Sequence, residues 1–217
     1  MRMEAKPVKV LILVDIQNDF VPGGALAVVE GDLVVPVANT VMPLFDFVVA
    51  TKDWHPADHQ SFASQHPGTL VGETIKLDGL PQIAWPDHCV QGTAGAEFLD
   101  TLNVDHIAAV FEKGTNRMID SYSGFFDNGH NQSTGLGDYL RSQQVTDVYV
   151  MGLATDYCVK FTALDAIELG FTTHLILDGC RGVDVQPGDI DAAVNDMRTA
   201  GARTTNSKHI VESYTAN

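Results

Sequence analysis

The stretch VTDVYVMGLATDYCVKFTALDAIELG, residues 145–170, changes its periodicity halfway along. Its first half is an apolar, β-branched run through Val145, Val148, Tyr149 and Val150, which reads as a strand. After Gly152-Leu153-Ala154 and Thr155 the spacing becomes helical. The junction carries a cysteine, Cys158, in the first turn of the helix. With Thr155 or Asp156 as the cap, Cys158 sits among backbone N–H groups that have no intrahelical partner, at the positive end of the helix dipole. Such a position lowers a thiol pKa, and a nearby ammonium lowers it further, so Cys158 is placed to be a nucleophile. The same N–H groups can hold a developing oxyanion. The commoner fate of a free cysteine is to be a small buried hydrophobe.

Outward from this unit, strand-length apolar runs alternate with helical patterns. The runs are VKVLILVD (8–15), FDFVVATKD (45–53), HIAAVFEKG (106–114) and TTHLILDG (172–179), with a short GARTTN (201–206) near the end. Helical spacing predicts helices over about 32–44, 94–101, 134–144, 157–169 and 188–200, with Gly170 and Gly201 where helix C-termini favour glycine. The pattern predicts an α/β, doubly wound fold: a mostly parallel sheet of six strands with helices on both faces. With 217 residues, 45% of them apolar, a single domain spanning 1–217 is expected. No G-x-G-x-x-G follows the first strand, which argues against dinucleotide binding.

Polar residues mark the strand ends. Asp15 closes the first run, Asp53 the second, Lys113 the third and the Leu153-Ala154 turn the fourth. In open parallel sheets ligands bind beyond the carboxyl ends of the strands, so these groups converge on one rim. Taken singly, Asp15 reads as a capping or salt-bridge carboxylate and Lys113 as a surface charge; their convergence with Cys158 favours chemistry.

Two long connections, 54–93 and 114–133, exceed ordinary loop lengths, as functional loops do. The first contains KDWHPADHQSF, with Asp53, His55 and His59, and then WPDHCVQG, with His88. An Asp-x-His pair plus a distant histidine suits a divalent transition metal with open positions, although single histidines are more often surface or core residues. His59 reads as a fourth ligand, a supporting donor or an exposed loop residue. Phe20, Trp85 and Tyr122 lie on loops at the same rim, where aromatics can form a slot for a planar ring or simply pack the core. Cys89 and Cys180 read as structural.

The net charge of −15 opposes nucleic acid and anionic membranes as partners. No apolar run approaches the ~18 residues of a membrane helix, and the start MRMEAKPVKV lacks the apolar segment of a secretory signal. Three cysteines without a disulfide spacing agree with a reducing, cytoplasmic setting.

Six segments together resemble the nicotinamidase branch of the isochorismatase-like cysteine hydrolases: LVDIQNDFVPGGALAV (13–28), TKDWHPADHQSF (51–62), WPDHCVQGTAGAEF (85–98), EKG (112–114), DSYSGFFDN (120–128) and GLATDYCVKFTALDA (152–166). The resemblance implies an isochorismatase-like fold and a triad of Asp15, Lys113 and Cys158. It also implies a cis peptide at Leu153-Ala154 and an oxyanion hole from the N–H groups of Ala154 and Cys158. Asp53, His55 and His88 match metal ligands, for zinc above all and otherwise iron or manganese; His59 matches a position that is a ligand in some members. Phe20, Trp85 and Tyr122 match positions lining the substrate ring.

The implied activity is amide hydrolysis of nicotinamide to nicotinic acid and ammonia, part of NAD salvage, with pyrazinamide as a further substrate. Another small amide or carbamoyl compound is the alternative. Isochorismatases in the superfamily work without the cysteine, and carbamoyl-amide hydrolases usually lack the full metal set. Relatives are often homo-oligomers. Tyr157, before the cysteine, stands where relatives vary, and the GTNRMI loop after Lys113 matches no substrate contact.

Overall fold

A computed structural model describes residues 7–215. The first six residues, on which part of the reading of the chain's start rests, lie outside the described residues, as do the last two. In chain order the strands are β1 (Val8–Val14), β2 (Phe47–Asp53), β3 (Thr74–Leu77), β4 (Leu80–Ile83), β5 (Ile107–Lys113), β6 (Val145–Leu153), β7 (Thr172–Arg181) and β8 (Arg203–Thr205). The α-helices are α1 (Val34–Val41), α2 (Leu136–Ser142), α3 (Lys160–Glu168), α4 (Asp189–Ala200) and α5 (Ser207–Thr215).

Six strands form one sheet in the order β5-β2-β1-β6-β7-β8, and every pairing is parallel. The central strand β1 is an unbroken apolar run because both of its faces are covered: Val10 to Val14 have no exposed surface. The chain first winds outward from β1 through β2, then crosses back to β6 and winds the other way. Right-handed crossovers in opposite directions place their helices on opposite faces. Accordingly α1 packs with α5 and β7, whereas α3 packs with α4, β6 and β7. The winding reverses between β1 and β6, the place where such sheets bind ligands. There Gly152 pairs with Val14 so closely that a Cβ would lie 2.1 Å from the Val14 carbonyl oxygen.

Three expectations are corrected. Residues 94–101 are not a helix. Only Ala94–Ala96 make a short 3-10 turn; then Asn18 donates to the Glu97 carbonyl and Leu99 to that of Ile16, so the segment is pulled out as a strand-like neighbour of the loop after β1. The connection 54–93 is not all loop, since β3 and β4 form a separate antiparallel hairpin around Asp78-Gly79, both with positive φ. Finally, the helix after β6 begins with a wide π-type turn, Thr155–Val159, whose cap is Ala154 rather than Thr155 or Asp156. The Asp156 carboxylate is committed elsewhere, accepting the N–H groups of Val183 and Asp184 at 2.9 and 2.8 Å.

Candidate active site

Four strand ends deliver their last side chains to the switch point. Asp15 follows β1 with a left-handed backbone (φ 49°), while Asp53 and Lys113 are the final residues of β2 and β5 and pair in register. Lys113, 1% exposed, places Nζ 2.8 Å from Asp15 Oδ2, 2.5 Å from Asp53 Oδ1, 2.9 Å from the Ser121 carbonyl and 3.3 Å from Cys158 Sγ. Thr51 donates to the other Asp15 oxygen at 2.6 Å. Candidate ligand atoms of Asp15, Asp53 and Cys158 all lie within 4.8 Å of one another.

Burial governs the proton affinities here. It works against the Lys113 ammonium, but the two carboxylates outweigh it and raise the lysine well above its usual range. It also works against the Asp53 carboxylate, where Lys113 and His55 prevail and hold the pKa well below normal. For Asp15 burial prevails over Lys113, and the carboxyl is raised. The Cys158 thiol too is pushed up by burial, against the pull of Lys113. The expectation of a depressed thiol pKa at a helix N-terminus is therefore corrected: enclosure in the sheet crevice outweighs the helix end. The resting sulfur keeps its proton and needs a base, and Asp15 is that neighbour.

A second cluster adjoins the first through Asp53, whose Oδ2 lies 3.6 Å from His55 Nε2 and 3.8 Å from His88 Nε2. His55 Nδ1 donates to the Gly114 carbonyl at 2.9 Å and His88 Nδ1 to that of Pro86 at 2.7 Å, which directs both Nε2 atoms at the aspartate. Gly114 is required, since a Cβ there would lie 2.3 Å from the His55 ring. His55 Nε2 is buried without a hydrogen-bond partner. His59 lies beside His55, ring centroids 4.4 Å apart and planes tilted by 40°. Both of its nitrogens have protein partners: Nδ1 accepts the Ser61 N–H at 3.2 Å and Nε2 is 3.3 Å from the Ile119 carbonyl. Burial pushes its pKa down to about 4, so the ring is neutral.

These groups open onto a pocket lined by Phe20, Leu26, Asp53, Trp85, His88, Asp120, Tyr122, Ala154, Tyr157, Cys158 and Val183. Phe20, Trp85 and Tyr122 line this one pocket, and Trp85 donates its indole N–H to the Tyr122 hydroxyl at 3.1 Å. Tyr157 completes the aromatic wall, edge-on to Trp85 with centroids 4.9 Å apart and 5.4 Å from Tyr122. Sequence reasoning missed Asp120, Leu26 and Val183, and noted Tyr157 only as a departure. Asp120 opens the quoted segment DSYSGFFDN, the one signal that could have found it. The peptide Leu153-Ala154 is cis, and Ala154 lines the pocket beside Cys158.

Comparison with known proteins places these features. The isochorismatase domain profile matches residues 9–209. A nicotinamidase of Escherichia coli (strain K12) is 54% identical over 200 residues, covering 90% of this chain and 93% of the relative. A nicotinamidase/pyrazinamidase structure from Acinetobacter baumanii superimposes with a TM-score of 0.91 at 43% identity, over 95% of this chain and all of the other. A pyrazinamidase of Pyrococcus horikoshii, solved in complex with zinc, gives 0.76 at 37% identity, over 92% and 99% of the two chains.

Proposed function

The chain belongs to the isochorismatase domain family, and from that premise we propose that it is an amidohydrolase converting nicotinamide to nicotinic acid and ammonia, with pyrazinamide as a second substrate. One observation carries the reading: Lys113 gathers Asp15 and Cys158 at the floor of an aromatic pocket, with a histidine–aspartate cluster on its side.

Asp15, raised by burial and beside the thiol, accepts the Cys158 proton while Lys113 compensates the sulfur's negative charge. The sulfur attacks the carboxamide carbon, and the N–H groups of Ala154 and Cys158 receive the oxyanion. Asp15 returns the proton to the departing nitrogen, ammonia leaves and a thioester remains. Asp15 then takes a proton from water, whose oxygen attacks the thioester carbonyl. Collapse releases nicotinic acid, and the thiolate recovers its proton from Asp15. Phe20, Trp85, Tyr122 and Tyr157 hold the ring flat during both halves.

The second cluster fits a divalent transition metal. Asp53, His55 and His88 offer one carboxylate and two imidazole donors within 4.8 Å of one another, His55 Nε2 is buried without a hydrogen-bond partner, and both rings are held from behind through Nδ1. These three would hold zinc, with iron or manganese compatible with the same donors. When bound, such an ion supplies Lewis acidity toward a ring nitrogen or a water. His59 supports His55 from the side. The reading also puts the enzyme in the cytoplasm as a homo-oligomer, with a small molecule as its substrate and neither nucleic acid nor membrane as a partner.

Ammonia release from nicotinamide tests the proposal, with protein purified without chelator and metal measured on the same sample. Wild type is expected to release ammonia; Cys158→Ala is expected to bind nicotinamide and release none. Near-normal turnover by Cys158→Ala would reject the thioester route.

A further inference from the structure

The β3–β4 hairpin stands apart from the main sheet, and only Leu77 and Gln82 of its two strands are buried. Gln82 is 3% exposed, unusual for a polar side chain on so exposed an element. A buried amide needs partners, and Gln82 finds them on the pocket wall. Its Nε2 lies 2.9 Å from the Tyr122 hydroxyl, 3.0 Å from Asp120 Oδ2 and 3.0 Å from the Ile83 carbonyl. Its Oε1 accepts from Asn128 Nδ2 at 3.3 Å, and Asn128 in turn accepts the Tyr122 backbone N–H at 2.9 Å. The other Asp120 oxygen accepts the Ser121 N–H at 2.7 Å, and the Ser121 carbonyl receives Lys113.

We infer that Gln82 is a positioning residue for substrate binding: the hairpin exists to carry its amide behind the pocket, where it fixes Tyr122, and through Tyr122 the indole of Trp85. The inference rests on the nicotinamide reading for its substrate and on the hydrogen bonds for the rest. Tyr122 hydroxyl accepts from two directions, Gln82 and Trp85, so the two donors fix where the phenol oxygen sits. An amide suits position 82: a carboxylate would face Asp120 with no proton to give, and an apolar side chain would take one donor from Asp120 Oδ2 and leave the Tyr122 hydroxyl with Trp85 alone. Gln82 touches neither Cys158 nor Asp15, so its loss acts on the ring's seat rather than on proton transfer.

Steady-state kinetics on Gln82→Leu and Gln82→Glu test this, alongside hydrogen exchange of the Trp85 indole N–H. Both variants are expected to raise KM for nicotinamide about tenfold while kcat stays within about threefold, since one lost buried donor is worth about one decade of affinity. The Trp85 indole proton, protected in wild type, should exchange faster in both. Combined with Tyr122→Phe, Gln82→Leu should add little to the KM increase of Tyr122→Phe alone, because Gln82 reaches the pocket wall through the hydrogen bond that both changes break.

The inference fails if KM and indole exchange match wild type, if kcat falls at unchanged KM, or if the two substitutions multiply fully. Should wild type not hydrolyse nicotinamide, the substrate reading falls, and indole exchange alone still decides whether Gln82 positions the wall.

Discussion

The ammonium of Lys113 lies 3.3 Å from the sulfur of Cys158. That contact makes one buried lysine the shared partner of Cys158, Asp15 and Asp53, with no solvent to share the charge. Removing the cation strands two buried carboxylates. Lys113→Met should therefore lower stability by about 3–5 kcal/mol in urea unfolding and abolish ammonia release. Full stability in the variant would mean that the carboxylates are not both ionised.

Asp15→Asn keeps the shape and the Thr51 contact but removes the base. Turnover should fall about 10²–10⁴-fold with nicotinamide binding retained.

With Asp15 as the proposed base, the same carboxyl should set the acid side of the wild-type pH profile. Asp15 must be deprotonated to accept the thiol proton, and burial raises its pKa, so kcat/KM is lost as pH falls through a value above the ordinary 3.8. A limb at or below that value would contradict the assignment.

His88 Nε2 faces Asp53 Oδ2, the oxygen that Lys113 does not hold, so its removal probes the proposed metal site without breaking the lysine contact. His88→Ala should reduce bound metal from about one ion per chain and weaken nicotinamide binding. Iodoacetamide should still alkylate Cys158. If the ion seats the pyridine nitrogen, benzamide should be a far poorer substrate than nicotinamide; equal turnover of the two would reject that role.

Far from the site, the His174 ring stacks flat on Tyr149, centroids 4.2 Å apart, with Asp147 Oδ1 at 3.5 Å. Burial lowers its pKa below 6.5 despite Asp147. The unfolded chain then binds the proton first, so stability is lost as pH falls below about 6.5. His59, pushed down to about 4, acts in the same direction, while His55, where burial yields to Asp53 and the pKa is raised, acts in the opposite one, so His174 is read from the difference between wild type and His174→Phe. Urea midpoints at about pH 7 and about pH 5 should show the fall, and His174→Phe should reduce it.

Strands β1 and β2 were legible because burial on both faces writes continuous apolar runs, and the edge strand β5 because IAAVF stays apolar although alternate residues are exposed; Asp15, Asp53 and Lys113 were legible because each closes such a run. The supposed helix at 94–101 failed because tertiary pairing with Asn18 and Ile16 overrode its local pattern. The hairpin was signalled only by Asp78-Gly79, inside a connection read as loop. The thiol pKa was misjudged because depth of burial is a tertiary quantity, invisible in the local helix signal. Asp120 and Gln82 stayed hidden for a related reason: their contact spans 38 residues and neither lies at a strand end of the main sheet.

The most direct test is to trap the intermediate. Enzyme mixed with nicotinamide and quenched in acid within one turnover should yield a Cys158 peptide carrying one nicotinoyl group, absent from Cys158→Ala. Active enzyme that never shows this adduct, under conditions where acyl transfer to added hydroxylamine is also absent, would mean that water attacks the amide directly and that Cys158 is not the nucleophile.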